Sequence, residues 1–214
     1  MGEDIKEMPD VRGIVKQTVR HSFEDGIGEM LYGITFMLIG LVLFGEAALK
    51  PPFPHFWTAA FIAVPWGGLL VSRWLIPATK KRLVFPRTGY VVHRKLSGRT
   101  RWLALGLGVI GGGIAGFVFA FMFRAHPGVQ MWMPTILGVE VCGWLLFLGF
   151  GFVVVRFLIL AAFSVCAGLA CSLTGLGAGR GAAFYMAAMG LALAISGALA
   201  LRAFLRRAPR LEGQ

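Results

Sequence analysis

Six apolar runs, separated by short polar or turn-forming segments, set the pattern of this chain. They cover 29–49, 56–76, 102–123, 133–155, 157–176 and 182–203, each close to the ~20 residues a helix needs to cross a hydrocarbon core of about 30 Å. Pro51-Pro52-Phe53-Pro54 forbids continuation of the first, because proline removes a backbone donor and clashes with the preceding turn. The second carries Pro65-Trp66-Gly67-Gly68 at its middle, which predicts a kink. Arg124-Ala125-His126-Pro127-Gly128 forms an outer turn after the third. The stretch 133–176 as one helix would reach roughly 66 Å. It must fold back, and the strongest interruption is Arg156, which places a tight inner turn at 154–157. A Gly-rich turn, Gly175-Leu176-Gly177-Ala178-Gly179, then precedes the last run.

Ahead of the first run, Val11, Ile14, Val15 and Val19 recur at helical spacing beside Arg12, Lys16 and Arg20. That spacing predicts a basic amphipathic helix in the membrane interface. Ser22-Phe23-Glu24-Asp25 has the form of a capping box opening the first span. Small residues mark close helix contacts, most clearly Gly108, Gly112 and Gly116, then Ser164, Gly168 and Ser172, and Gly190, Ala194 and Ala198.

Composition agrees with lipid as the main solvent: 57% of residues are apolar and mean hydropathy is +0.74. The polar stretches are too short for a separate folded domain, since chains below about 40 residues rarely hold a core unaided. The expected fold class is therefore an all-α integral membrane protein, a transmembrane bundle of about six helices. Residues 1–28 form a cytoplasmic or interfacial segment, 29–203 the bundle and 204–214 a basic cytoplasmic tail.

The formal charge of +11 raises the question of nucleic acid. With both termini cytoplasmic, only Lys50, Arg124 and Arg180 of the 21 Lys and Arg fall outside. That asymmetry follows the positive-inside rule and favours anionic lipid, with no call for nucleic acid. The long acidic leader, with Glu3, Asp4, Glu7, Asp10, Glu24 and Asp25, argues against a cleaved signal peptide. Cys142, Cys166 and Cys171 lie in apolar runs without metal-type spacing and read as small core residues.

The most distinctive polar sequence runs from Lys80 to Lys95. Two β-prone runs flank Pro86-Arg87-Thr88-Gly89, where proline fixes φ and glycine accepts positive φ, predicting a small basic hairpin on the inner face. Arg82, Pro86, Arg87, Thr88, Gly89, Tyr90 and Arg94 are the candidate residues for a membrane-protein partner or lipid phosphate. Charges inside the apolar runs are the other candidates, because an ionised group at bilayer depth costs a few kcal/mol or more unless paired. Glu46, Glu140 and Arg156 qualify. Glu140 is expected either to pair with Arg124 or Arg180 or, with Glu46, to form an ion site. The matching proline break of an inverted repeat is missing from the fifth run.

Enzyme chemistry is disfavoured by composition. No aspartate follows Asp25, and His21, His55, His93 and His126 all lie outside the apolar runs. Paired intramembrane aspartates, haem ligation and a Ser–His dyad within the bilayer are thereby removed, and no cofactor or metal is expected. The segment Phe23-Glu24-Asp25-Gly26, the loop Phe85-Pro86-Arg87-Thr88-Gly89-Tyr90-Val91 and the ending Arg202-Ala203-Phe204-Leu205-Arg206-Arg207-Ala208-Pro209 resemble a family of bacterial multi-pass membrane proteins with no assigned activity. The resemblance implies a cell inner membrane location and brings no catalytic residue with it. The leading expectation is a non-enzymatic accessory or scaffold protein working through its inner face; the alternative is a small transporter or channel subunit using Glu140 and Glu46.

Overall fold

The computed structural model describes residues 25–49, 55–83, 127–152 and 154–207. The third apolar run with Gly108, Gly112 and Gly116, the hairpin with Pro86, Arg87, Thr88, Gly89, Tyr90 and Arg94, and the amphipathic segment lie outside them. The described chain is helical: α1 Ile27–Ala48, α2 Phe56–Leu83, the short α3 Pro127–Met131, α4 Met133–Phe152, α5 Val155–Leu173 and α6 Ala178–Arg207. All but α3 are long and apolar enough to cross a membrane.

α1 starts from Gly26 in the left-handed conformation, φ 66°. The Asp25 carboxylate accepts the Ile27 N–H at 3.2 Å, and Ser22 of the expected capping box lies outside the described residues. A side chain at Gly26 would be strained by that φ and would also strike the Gly197 carbonyl. α2 runs helically through both Pro65, where the sequence predicts a kink, and Pro77 as one element. The inner turn sits earlier than the sequence pattern placed it. Val154 is extended, its N–H reaching back to Gly149 O at 3.1 Å, and Arg156 already belongs to α5.

α1 and α2, α4 and α5, and α5 and α6 run antiparallel, as do α1 and α6, whose contact is the most extensive. That contact is made by residues seven apart. A Cβ at Gly33 would lie 2.6 Å from Gly190 O, and one at Gly40 would lie 2.9 Å from Ala183 O. Only bare backbone permits this approach, and the interface gains van der Waals contact along its length. Gly190 and Ala194 of the expected small-residue row face α1, but Ala198 is exposed and Gly197 takes the next contact. The row Ser164, Gly168 and Ser172 is buried along α5 against α4, with Gly168 beside Pro134 O. Leu145, Phe157, Leu160, Ala161, Tyr185, Met189 and Leu193 fill the space where α4, α5 and α6 meet. α2 lies at the margin of this group, resting mainly on α1.

Candidate functional site

The ion-paired groups of the described helices converge at one end of the bundle. α1 and α5 begin there, while α2 and α6 finish there, because each antiparallel neighbour brings the opposite terminus. Glu29, in the first turn of α1, is 5% exposed. Its Oε1 lies 2.6 Å from Arg156 Nη2 of α5, and its Oε2 accepts the Ser196 hydroxyl of α6 at 3.1 Å. The guanidinium also sits 5.6 Å from the Phe157 ring centroid, close enough for a cation–π attraction. One turn earlier, Asp25 Oδ2 is 2.7 Å from Lys80 Nζ at the end of α2. Two ion pairs thus tie α1 to α2 and α5 within one helical turn of α1, and the Ser196 hydrogen bond adds α6.

Chemically this cluster is closed. Both carboxylates are buried and each faces a cation, which is the arrangement that lets ionised groups persist out of water. Around them the surface is basic: Lys81 and Arg82 in the last turn of α2, and Arg202, Arg206 and Arg207 on α6, are all exposed. No described carboxylate faces these five, since the remaining two, Glu46 and Glu140, belong to the opposite end and the middle of the bundle.

A second polar group lies between α4, α5 and α6. The fully buried hydroxyls of Ser164 and Tyr185 are 2.8 Å apart. Ser164 donates to Gly138 O at 2.9 Å, and Tyr185 lies 3.3 Å from Leu137 O. Thr135 Oγ1 sits 2.8 Å from Ser172 Oγ. Carbonyls and hydroxyls satisfy one another here, and among the described residues neither a histidine nor a carboxylate hydrogen-bonds to them. The network fixes the helices laterally and keeps every buried hydroxyl paired.

The charged residues singled out from the sequence fall in different places. Arg156 is the central cation of the cluster, in the first turn of α5 rather than in a turn. Glu46 and Glu140 are exposed, and among the described residues neither has an ion-pair partner; of the two cations expected to pair with Glu140, Arg180 does not, and Arg124 lies outside the described residues. Arg82 is exposed on the basic rim. Asp25, Glu29, Lys80 and Ser196 escaped the sequence reading. The available signal was charges of opposite sign at matching depth: Glu29 at the start of one run and Arg156 at the start of another. Among the described residues no three His, Cys, Asp or Glu side chains converge as metal ligands would. Comparison with protein-family models, curated proteins and solved structures finds no match for the chain.

Proposed function

We propose that this chain is a six-span, non-enzymatic accessory protein of the bacterial inner membrane, with both termini cytoplasmic, that engages other membrane components through its inner face. One observation carries the reading: both buried carboxylates of the described bundle are locked in interhelical ion pairs at one end. Charge used in this way fastens helices, whereas a transport path needs polar groups free to exchange partners along its length. The six-span count draws support from the ends of α2 and α4. α2 finishes at the ion-paired end and α4 begins at the other, so the chain changes sides between residues 83 and 127. The apolar run 102–123 is the segment suited to that crossing. The basic rim belongs on the cytoplasmic side by the positive-inside rule.

The test is native mass spectrometry of the protein extracted in mild detergent, with the Arg87→Ala/Tyr90→Ala double variant alongside. The expected result is a stoichiometric companion that the variant releases while inserting normally. Solute flux in reconstituted vesicles that Glu140→Gln abolishes would overturn the reading in favour of a transporter.

A further inference from the structure

We infer that the ends of α2 and α6 together form a binding rim for anionic phospholipid headgroups, built from Lys81, Arg82, Arg202 and Arg206. This rests on the inner-face reading above and names the chemistry of one occupant of that face.

Position comes first. Asp25 holds Lys80 at 2.7 Å, and the adjoining Gly26 lies against Gly197 and Ala200 of α6. The same two-residue turn therefore touches α2 on one side and α6 on the other. Lys81 and Arg82 follow directly after Lys80, and Arg202 and Arg206 follow within two turns of Ala200. The four cations leave the bundle on either side of one short turn.

Height is the second consideration. α2 has 28 residues and α6 has 30, which gives about 42 and 45 Å against a hydrocarbon thickness of about 30 Å. Each helix overshoots the apolar slab by several residues. In both, the cations occupy the last turns, so their side chains stand at headgroup height rather than in the acyl region.

Charge decides the partner class. The two carboxylates at this end are buried and already matched one for one by Lys80 and Arg156. The four rim cations are exposed and meet no described carboxylate. Their field is directed outward, where phosphate oxygens can accept from guanidinium and ammonium groups together. Helix-terminal cations also offset the macrodipole, but that effect is confined to a helix's own last turn, whereas Arg202 stands more than a turn before the end of α6.

Each cation beside an anionic lipid surface contributes a factor of about five, equivalent to about 1 kcal/mol. The experiment titrates phosphatidylglycerol into the full-length protein held in phosphatidylcholine nanodiscs and counts retained anionic lipids by native mass spectrometry. Lys81→Gln/Arg82→Gln/Arg202→Gln/Arg206→Gln should cut the affinity by about six-hundredfold, while Arg180→Gln at the opposite end should leave it unchanged. A circular-dichroism spectrum matching the parent keeps the comparison between folded proteins. Equal retention in both variants would overturn the lipid rim. Loss of a companion protein in the fourfold variant, with lipid retention intact, would assign the rim to that protein and leave the accessory function standing. Solute flux blocked by Glu140→Gln would remove the function itself.

Discussion

Removing the Arg156 guanidinium would leave the Glu29 carboxylate buried with only the Ser196 hydroxyl beside it. Breaking one half of a buried ion pair costs about 3–5 kcal/mol, whereas replacing both halves by apolar groups of similar size is far milder. Arg156 is 24% exposed, so Arg156→Ala should cost somewhat less, about 2–3 kcal/mol. The double variant Glu29→Leu/Arg156→Met should recover most of that loss. Chemical unfolding in detergent micelles measures this cycle, and strictly additive effects would show that the pair contributes no coupling. At this scale the sequence revealed the cost but not the remedy. Arg156 was conspicuous as a cation in an apolar run. Glu29 stood only as the first residue of its run. Which anion meets which cation depends on helices far apart in the chain, and no spacing rule encodes it.

Between elements, the α1–α6 contact makes an internal control available. A Cβ at Gly33 would meet the Gly190 carbonyl at 2.6 Å, and backbone cannot move aside as a side-chain tip can. Gly33→Leu should therefore push the helices apart and cost about 1–3 kcal/mol or more, the range for overfilled cores. Gly28, on the same helix, has open space where its Cβ would be. Gly28→Ala should be neutral or slightly stabilising, because alanine is the better helix former by up to about 1 kcal/mol. Thermal unfolding of the two variants separates close packing from helix propensity. The apolar, helical character of these elements was plain from run length and hydropathy. The partner face was not, because Gly26, Gly33 and Gly40 recur every seven residues and acquire meaning only when set against Ala183, Gly190 and Gly197 running the other way. The inner turn slipped for a similar reason: Arg156 interrupts the apolar pattern, but it does so as an ion-pair partner within a helix.

For the whole molecule, the ion-paired and opposite ends should lie on opposite sides of the membrane. In a chain with Cys142, Cys166 and Cys171 replaced, Arg206→Cys should react with an impermeant maleimide in inverted vesicles alone. Arg180→Cys should react in intact cells. Labelling of both from the same side would refute the end-to-end arrangement. Multi-pass character was legible in the sequence because bilayer thickness sets helix length. The grouping of helices was not, since lipid-facing and partner-facing apolar positions look alike when the tails outside are as apolar as the core inside.

The pairing of α1 with α6 also bears on how the protein is made. α6 is synthesised after every other described helix, so α1 must enter the bilayer and wait there with its glycine face against lipid. Until α5 is made Glu29 has neither Arg156 nor Ser196, and until α6 follows it lacks Ser196. The bundle closes only on completion of the chain, which makes a stalled or truncated product chemically distinct from the finished one.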